Sequence, residues 1–291
     1  RSTLFPYTTL FRSPYRAKQI AALQLADVTV IPVSELETPE LLAVKPTRTR
    51  GEYCWTLTPF LADAVMSRDP AASRVTYLDA DLFFFGDPRP FFEEFEASSK
   101  DILITEHAYA PEYDRLTRSG RFCVQFLTCR RTDRARAVLR WWQERCVEWC
   151  FARYEAGRFG DQKYLDEWPT RFGAAVHILS QCQRTLAPWN VDHFGKQGPV
   201  EPVFYHFQGF RIFAADDVRL VYGYRIDPRH EWIYESYLRA IALLAEKLAR
   251  LGYALPVMPE HRRPLMWLRN LVLRAQRRIR HVDLRAYAPA R

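Results

Sequence analysis

Two periodicities alternate along this chain. Short apolar runs rich in β-branched and aromatic residues predict buried strands at Asp27–Val33 (DVTVIPV), Arg74–Leu78, Asp101–Glu106 (DILITE) and Phe122–Cys129 (FCVQFLTC), with shorter ones at Val176–Leu179 and Val203–His206. Helical spacing predicts helices at Tyr53–Ser67, Pro88–Phe95, Arg134–Tyr154 and from Asp161 to Glu167. Within the longest of these, Val138, Trp142, Cys146 and Trp149 fall on one stripe, which reads as core. Pro14–Ala26 reads as the end of a helix and Ser34–Leu41 as a turn with a short helix. Leu42–Glu52 (LAVKPTRTRGE) reads as a basic loop broken by Pro46 and Gly51, and Glu231–Arg291 as mostly helical. No internal repeat is visible. Strands alternating with helices argue an α/β fold with a largely parallel sheet.

Composition narrows the class. With 291 residues and 48% hydrophobic content, the chain can fill a core, which excludes wholesale disorder. No run of about 18 apolar residues predicts a membrane-spanning helix, and the first residues lack the basic and unbroken apolar segments of a signal peptide. Cys54, Cys123, Cys129, Cys146, Cys150 and Cys182 form no C-x-x-C pair and read as reduced core thiols of a cytoplasmic protein. The net charge of +8 has one source. His261–Arg291 holds nine arginines, no lysine and one acid, Asp283, while residues 1–260 balance at 33 positive and 33 negative. A neutral body with a basic tail argues against nucleic-acid binding, which needs cations spread over a folded face.

The densest chemistry lies in Arg74–Pro88, RVTYLDADLFFFGDP. A buried strand runs into Asp79-Ala80-Asp81, and in extended chain residues two apart point the same way, so both carboxylates can converge. Ligands of open α/β sheets bind at the carboxyl ends of strands, and a hard divalent cation relieves repulsion between paired carboxylates. Three other readings exist: a haloacid-type phosphatase, although Leu82-Phe83 stand where Gly-Thr is expected; a turn cap; and an ion pair with arginine. The apolar Phe83-Phe84-Phe85 favours a strand that stays buried. Farther on, Phe159-Gly160-Asp161-Gln162-Lys163 reads as a tight turn with Asp161 capping the next helix, and a helix N-terminus also offers donors at a cleft.

These pieces occur in an order that resembles the nucleotide-diphospho-sugar transferases of the GT-A fold, closest to the family 8-like glycosyltransferases. The resemblance covers Asp27 to Arg211: a basic loop with Lys45, Arg48 and Arg50, then YLDADLFFFGDP, a strand in the FNxGxxxF-like position, FGDQKYLDEWP, LAPWN and FYHFQGF. It implies a Rossmann-like α/β domain and transfer of a sugar from a nucleotide sugar, UDP-linked, with retention. It implies that Asp79, Asp81 and His206 of the H-x-x-G element, completed by Gly209, bind Mn²⁺ or Mg²⁺. Two carboxylates with a neutral imidazole suit Mn²⁺ at least as well as Mg²⁺. It further implies that Asp161 and Gln162 contact the donor sugar beside the reacting carbon. Trp189 and Asn190 read as donor or acceptor lining, and Trp189 equally as core. Lys45 and Arg48 read as phosphate contacts or as solvated loop charges. The chain departs from the pattern at Cys123-Val124-Gln125, where Asn and Gly are usual, and at Phe210-Arg211, where Lys-Pro-Trp is usual. Arg211 can take the diphosphate role. The acceptors open to such an enzyme are a glycan, a lipid-linked molecule or a protein. The runner-up is a degenerate, non-catalytic binding domain of the same fold.

Three regions follow: a leader over residues 1–13, a GT-A domain over 14–230 and a helical basic extension over 231–291. RSTLFPYTTLFRS has no initiator Met and no clean strand alternation, and it resembles a translated sequencing adapter. With no strand expected before Asp27, the domain is expected to lack its first strand and base-binding loop, and so to bind and turn over nucleotide sugar poorly. In the extension, Leu265, Leu268, Val272, Ala275 and Ile279 share a helical face, with Arg269, Arg274, Arg277, Arg278 and Arg280 around it. Such a helix either lies on an anionic membrane, making the protein cytoplasmic with a peripheral membrane contact, or packs on the body with its arginines in water.

Overall fold

Strand β1, Thr8–Arg12, pairs in parallel with β2, Val28–Pro32, with Thr8 opposite Val28 and Arg12 opposite Pro32. The computed structural model describes residues 8–12, 20–258 and 266–288. They form a mixed α/β fold in two units, one holding residues 8–12, 26–80 and 87–182, the other 20–25, 81–86, 183–258 and 266–288. The chain passes from the first unit to the second between Ala80 and Asp81.

The first unit is built on a four-stranded sheet ordered β3, β6, β5, β7: Arg74–Leu78, Phe122–Arg130, Ile102–Glu106 and Val176–Ile178. β6 is antiparallel to both neighbours, and β5 is parallel to β7. Eight consecutive residues of β6 are buried, as expected of a central strand covered on both faces. Helix α3 (Leu61–Arg68) contributes Ala62 and Met66 to the core. Helix α5 (Asp133–Glu148) contributes Val138, Trp142 and Cys146 of the predicted stripe together with Leu139, and Trp149, the fourth residue of the stripe, is buried just past the helix. Thr132 caps α5 by accepting from the Ala135 amide. This unit also holds α1 (Pro39–Val44), α2 (Arg50–Leu57) and α4 (Arg89–Ser98), with single helical turns at Leu116–Ser119 and Trp168–Arg171.

The second unit holds two three-stranded sheets. In one, β9 (Phe204–His206) lies between β4 (Leu82–Phe84), antiparallel, and β8 (Thr185–Leu186), parallel. In the other, β11 (Asp217–Tyr222) lies between β10 (Arg211–Ala214) and β12 (Ile279–Val282), both antiparallel to it. Helix α6 (Glu231–Arg250) buries Ile233, Tyr234 and Leu238 in a core with Tyr205, Phe207 and Phe210. Helix α7 spans Met266–Ala275.

Several expectations are corrected. The α/β class holds, but strand directions are mixed, and the ladders of the main sheet are antiparallel except β5 with β7. Apolar runs reveal burial, whereas direction depends on connections that residue patterns do not encode. Thr8–Arg12 is a strand despite its poor alternation. Of Pro14–Ala26, residues 14–19 lie outside the described residues and 20–22 are helical. The basic loop is largely helical, because Thr49 and Glu52 form a reciprocal capping box that starts α2 at Arg50. Phe83 does not prolong β3: the chain turns at Ala80-Asp81, and β4 belongs to a different sheet. Ile279 begins β12 rather than sharing a helical face, and Leu265 lies outside the described residues.

Candidate functional site

In the first unit, β3 delivers Asp79 one residue past its end. The Asp79 amide donates to the Gln125 carbonyl at 3.0 Å, so the antiparallel contact with β6 reaches this residue. One face of β3 carries Val75, Tyr77 and Asp79 by strand alternation. The Tyr77 hydroxyl donates to Asp79 Oδ1 at 2.7 Å. Burial pushes the Tyr77 phenol far above its ordinary range, and the neighbouring Asp79 and Asp161 charges add to that push. Tyr77 therefore stays a hydrogen-bond donor at any working pH.

Asp161 is 3% exposed, and its Oδ2 has no hydrogen-bond partner among the described residues. Burial raises its carboxyl to about 7, opposed by a hydrogen bond from Thr58 and reinforced by the charge of Asp79. Asp161 makes no side-chain capping bond to the 3-10 turn that follows, Gln162–Glu167, so the expected cap role is absent. It is fixed instead by its backbone, whose carbonyl accepts from Trp142 Nε1 at 2.8 Å. Gly160 takes φ +55°, a left-handed conformation that glycine adopts without strain, and this turns the chain into Asp161. Gln162 donates through Nε2 to the Ser119 carbonyl at 2.8 Å. A buried carboxyl that titrates near neutrality and has an unsatisfied oxygen can accept a hydrogen bond or exchange a proton.

The two basic residues ascribed to phosphate are both engaged within the protein. Lys45 pairs with Glu37 and lies over the Tyr53 ring, 5.4 Å from its centroid. Arg48 donates to the Val147 carbonyl at 3.2 Å, near the C-terminus of α5, and stacks 3.8 Å from the Phe151 ring centroid. Partial burial holds its guanidinium below its ordinary range.

In the second unit, the β4–β9 ladder sets Leu82 opposite His206. The Phe207 amide donates to the Asp81 carbonyl at 2.8 Å. Backbone pairing thus sets Asp81 beside the buried His206, and Asp81 Oδ1 lies 3.1 Å from His206 Nε2. Burial opposes ionisation of Asp81, but His206 and Arg211 outweigh it and hold the carboxyl below its usual range. Arg211 donates to the Phe210 carbonyl at 2.6 Å. Gly209 has φ +89°, and a Cβ there would come 3.3 Å from the Tyr222 amide nitrogen, so only glycine fits this turn without displacement. Trp189 is buried and meets His206 edge-on, with ring centroids 5.4 Å apart. The Asn190 side chain is spent on the turn: Oδ1 accepts from the Ala187 amide at 2.8 Å, and Nδ2 donates to the Thr185 carbonyl.

A partly exposed carboxylate oxygen beside an imidazole nitrogen is a donor set that fits Mn²⁺ or Mg²⁺. The extended chain expected from Asp79 to Asp81 is corrected in one respect, because Ala80-Asp81 is a turn. Sequence reasoning missed Tyr77 and Thr58 as supports. Tyr77 was accessible from its spacing to Asp79, whereas nothing local points to Thr58.

No family model matches the chain. Two solved structures align with it over 70% of its length: mouse xyloside xylosyltransferase 1 in its apo form (TM-score 0.44, 16% identity, 84% of that chain) and a glycosyltransferase involved in glycosylation of the major capsid of PBCV-1 (TM-score 0.42, 12% identity, 92% of that chain). Sequence relatives are closer. The uncharacterized protein YfnD of Bacillus subtilis (strain 168) is 34% identical over 224 residues, 72% of this chain and 71% of its own length. YfnF of the same strain is 34% identical over 215 residues, 69% of this chain and 70% of its own length. At that identity and coverage, the chain belongs to the family of YfnD and YfnF.

Proposed function

We propose that this chain is a metal-dependent glycosyltransferase that moves a sugar from a nucleotide sugar, UDP-linked, to an acceptor with retention. The observation that carries the reading is the contact of Asp81 Oδ1 with His206 Nε2 at 3.1 Å, which joins two pieces of the ordered motif set that are far apart in sequence. Asp81 and His206 hold Mn²⁺ or Mg²⁺, with Asp79, two residues up the chain, as the further ligand that the motif supplies. When bound there, such an ion would supply positive charge to a departing diphosphate. Arg211, whose charge acts on Asp81, adds positive charge for the phosphates. Asp161 offers its unsatisfied Oδ2 to a hydroxyl of the donor sugar. Trp189 holds the orientation of His206 by edge contact.

Calorimetry on the full chain tests this reading. UDP should bind with Mn²⁺ present and lose most of its affinity without it. Asp81→Asn and His206→Ala should each abolish the Mn²⁺-dependent part while keeping the far-UV circular dichroism and a cooperative melt of the folded chain. Unchanged Mn²⁺–UDP affinity in both variants would overturn the assignment.

A second reading, a non-catalytic binding domain of the same fold, is favoured by one observation. Cys123 and Gln125 stand where Asn and Gly are usual, and both are buried, 3% and 1% exposed. Hydrolysis across a panel of nucleotide sugars separates the two, since a binding domain would bind without turnover.

A further inference from the structure

Helix α7 is oriented opposite to an ordinary surface helix. Trp267, Leu268, Leu271 and Val272 are 65%, 43%, 61% and 54% exposed. At the α-helical period these four and the exposed Ala275 share one arc, on which an amphipathic helix usually places its buried side. The opposite arc holds the helix to the fold. Asn270 Oδ1 accepts from the Tyr222 hydroxyl at 3.3 Å, and the Arg269 guanidinium lies 5.3 Å from the Tyr222 ring centroid. The helix is thus anchored to β11 by its polar side and presents its apolar side to solvent. Its charge is equally one-sided: Met266–Arg280 contains Arg269, Arg274, Arg277, Arg278 and Arg280 and no acid. Arg274 projects at the edge of the apolar arc beside Trp267, and Arg274 and Arg277 are exposed. No helix among the described residues is long and apolar enough to cross a membrane.

We propose that α7 docks in the plane of an anionic lipid surface, with Trp267, Leu268, Leu271 and Val272 at the headgroup boundary and Arg274 and Arg277 on the lipid phosphates. The cations around this face choose the occupant. An apolar partner protein or a second copy would satisfy the leucines and leave the arginines uncompensated, because the helix carries no acid to pair with those of a twin. An aromatic anchor, exposed leucines and flanking arginines suit an interfacial helix. This inference is independent of the sugar-transfer reading.

The test is co-sedimentation of the full chain with phosphatidylcholine vesicles, with or without about one third phosphatidylglycerol. Binding should require the anionic lipid and weaken as salt is raised. Leu271→Glu should abolish it. Arg274→Gln with Arg277→Gln should weaken it by at least about tenfold, at roughly a fivefold loss for each cation near the surface. Trp267→Ala, which leaves the Asn270 and Tyr222 anchor intact, keeps the result interpretable if Leu271→Glu misfolds. Equal binding to neutral vesicles, binding unaffected by Trp267→Ala and the arginine pair, or no binding to either vesicle would overturn the proposal. So would self-association in solution that Leu271→Glu abolishes, since α7 would then face a second copy.

Discussion

Asp161 and Asp81 are the same residue type in opposite electrostatic states. Asp161 is enclosed, has one oxygen without a hydrogen-bond partner among the described residues and titrates near 7 because burial penalises its charge and Asp79 repels it. Asp81 is also penalised by burial, yet His206 and Arg211 hold its carboxyl below its usual range. Burial alone therefore does not set the charge of a carboxylate; nearby cations do. An anion held by an imidazole suits a cation ligand, and an uncompensated buried carboxyl suits proton exchange or hydrogen bonding to a neutral hydroxyl.

The largest expected effect breaks the comparison at its metal side. Asp81→Asn should lower Mn²⁺-dependent UDP affinity by at least about 100-fold, since loss of partners that merely orient metal ligands already costs about 10–100-fold. Asp161→Asn should leave that affinity within a few-fold and lower turnover of the donor sugar by about 100-fold or more. Calorimetry and donor hydrolysis on the same two variants read both axes. If the variants lost the same property, the two carboxylates would share one role.

A pH titration of stability sharpens the contrast. The Asp161 pKa is higher in the folded state than in the unfolded, so the folded state binds the extra proton between about pH 4 and the folded value near 7. Stability from this residue is complete below about pH 4 and is lost as pH rises through 7. Asp81, depressed in the folded state, stabilises above about pH 4 and loses that contribution as pH falls further. Denaturant melts at several pH values should show Asp161→Asn flattening the neutral limb and Asp81→Asn the acid limb. An unchanged neutral limb in Asp161→Asn would show that its carboxyl is not raised.

The sequence exposed these two carboxylates unequally. Asp81 and His206 could be picked out because motif residues at strand ends are local features, and their contact follows from one ladder, β4 with β9. Asp161 was identified, but its environment was not. Its enclosure depends on Trp142 of α5 and on Thr58, neither of which is a neighbour in sequence. The same limit explains the strands. Apolar runs located β2, β3, β5, β6 and β9, while the antiparallel pairing of β6 with both neighbours comes from connections that composition does not record. β12 was hidden because IRHV lies inside an arginine-rich stretch whose spacing also fits a helix.

A smaller effect concerns the support of Asp79. Tyr77→Phe removes the 2.7 Å donor and leaves the ring. Asp79 is only partly buried, so water can replace part of the bond, and the cost should be about 1 kcal/mol in a denaturant melt. Mn²⁺–UDP affinity should fall several-fold as the carboxylate loses its orientation. An affinity that does not move would leave Tyr77 as a core residue only.

The smallest effect is expected at the two cations ascribed to phosphate. Lys45 pairs with Glu37, and its side chain is 48% exposed, so Lys45→Gln should change stability by no more than about 0.5 kcal/mol. Arg48 is different. Its bond to the Val147 carbonyl satisfies an acceptor near the C-terminus of α5, where a cation also meets the negative end of the helix dipole, and its guanidinium stacks on Phe151. Arg48→Gln should therefore cost about 1 kcal/mol in a melt. Because both side chains already have protein partners, neither variant should change Mn²⁺–UDP affinity by more than about twofold, against the large loss at Asp81. An affinity loss of about tenfold in Lys45→Gln, with stability unmoved, would mean that Lys45 leaves Glu37 for the nucleotide.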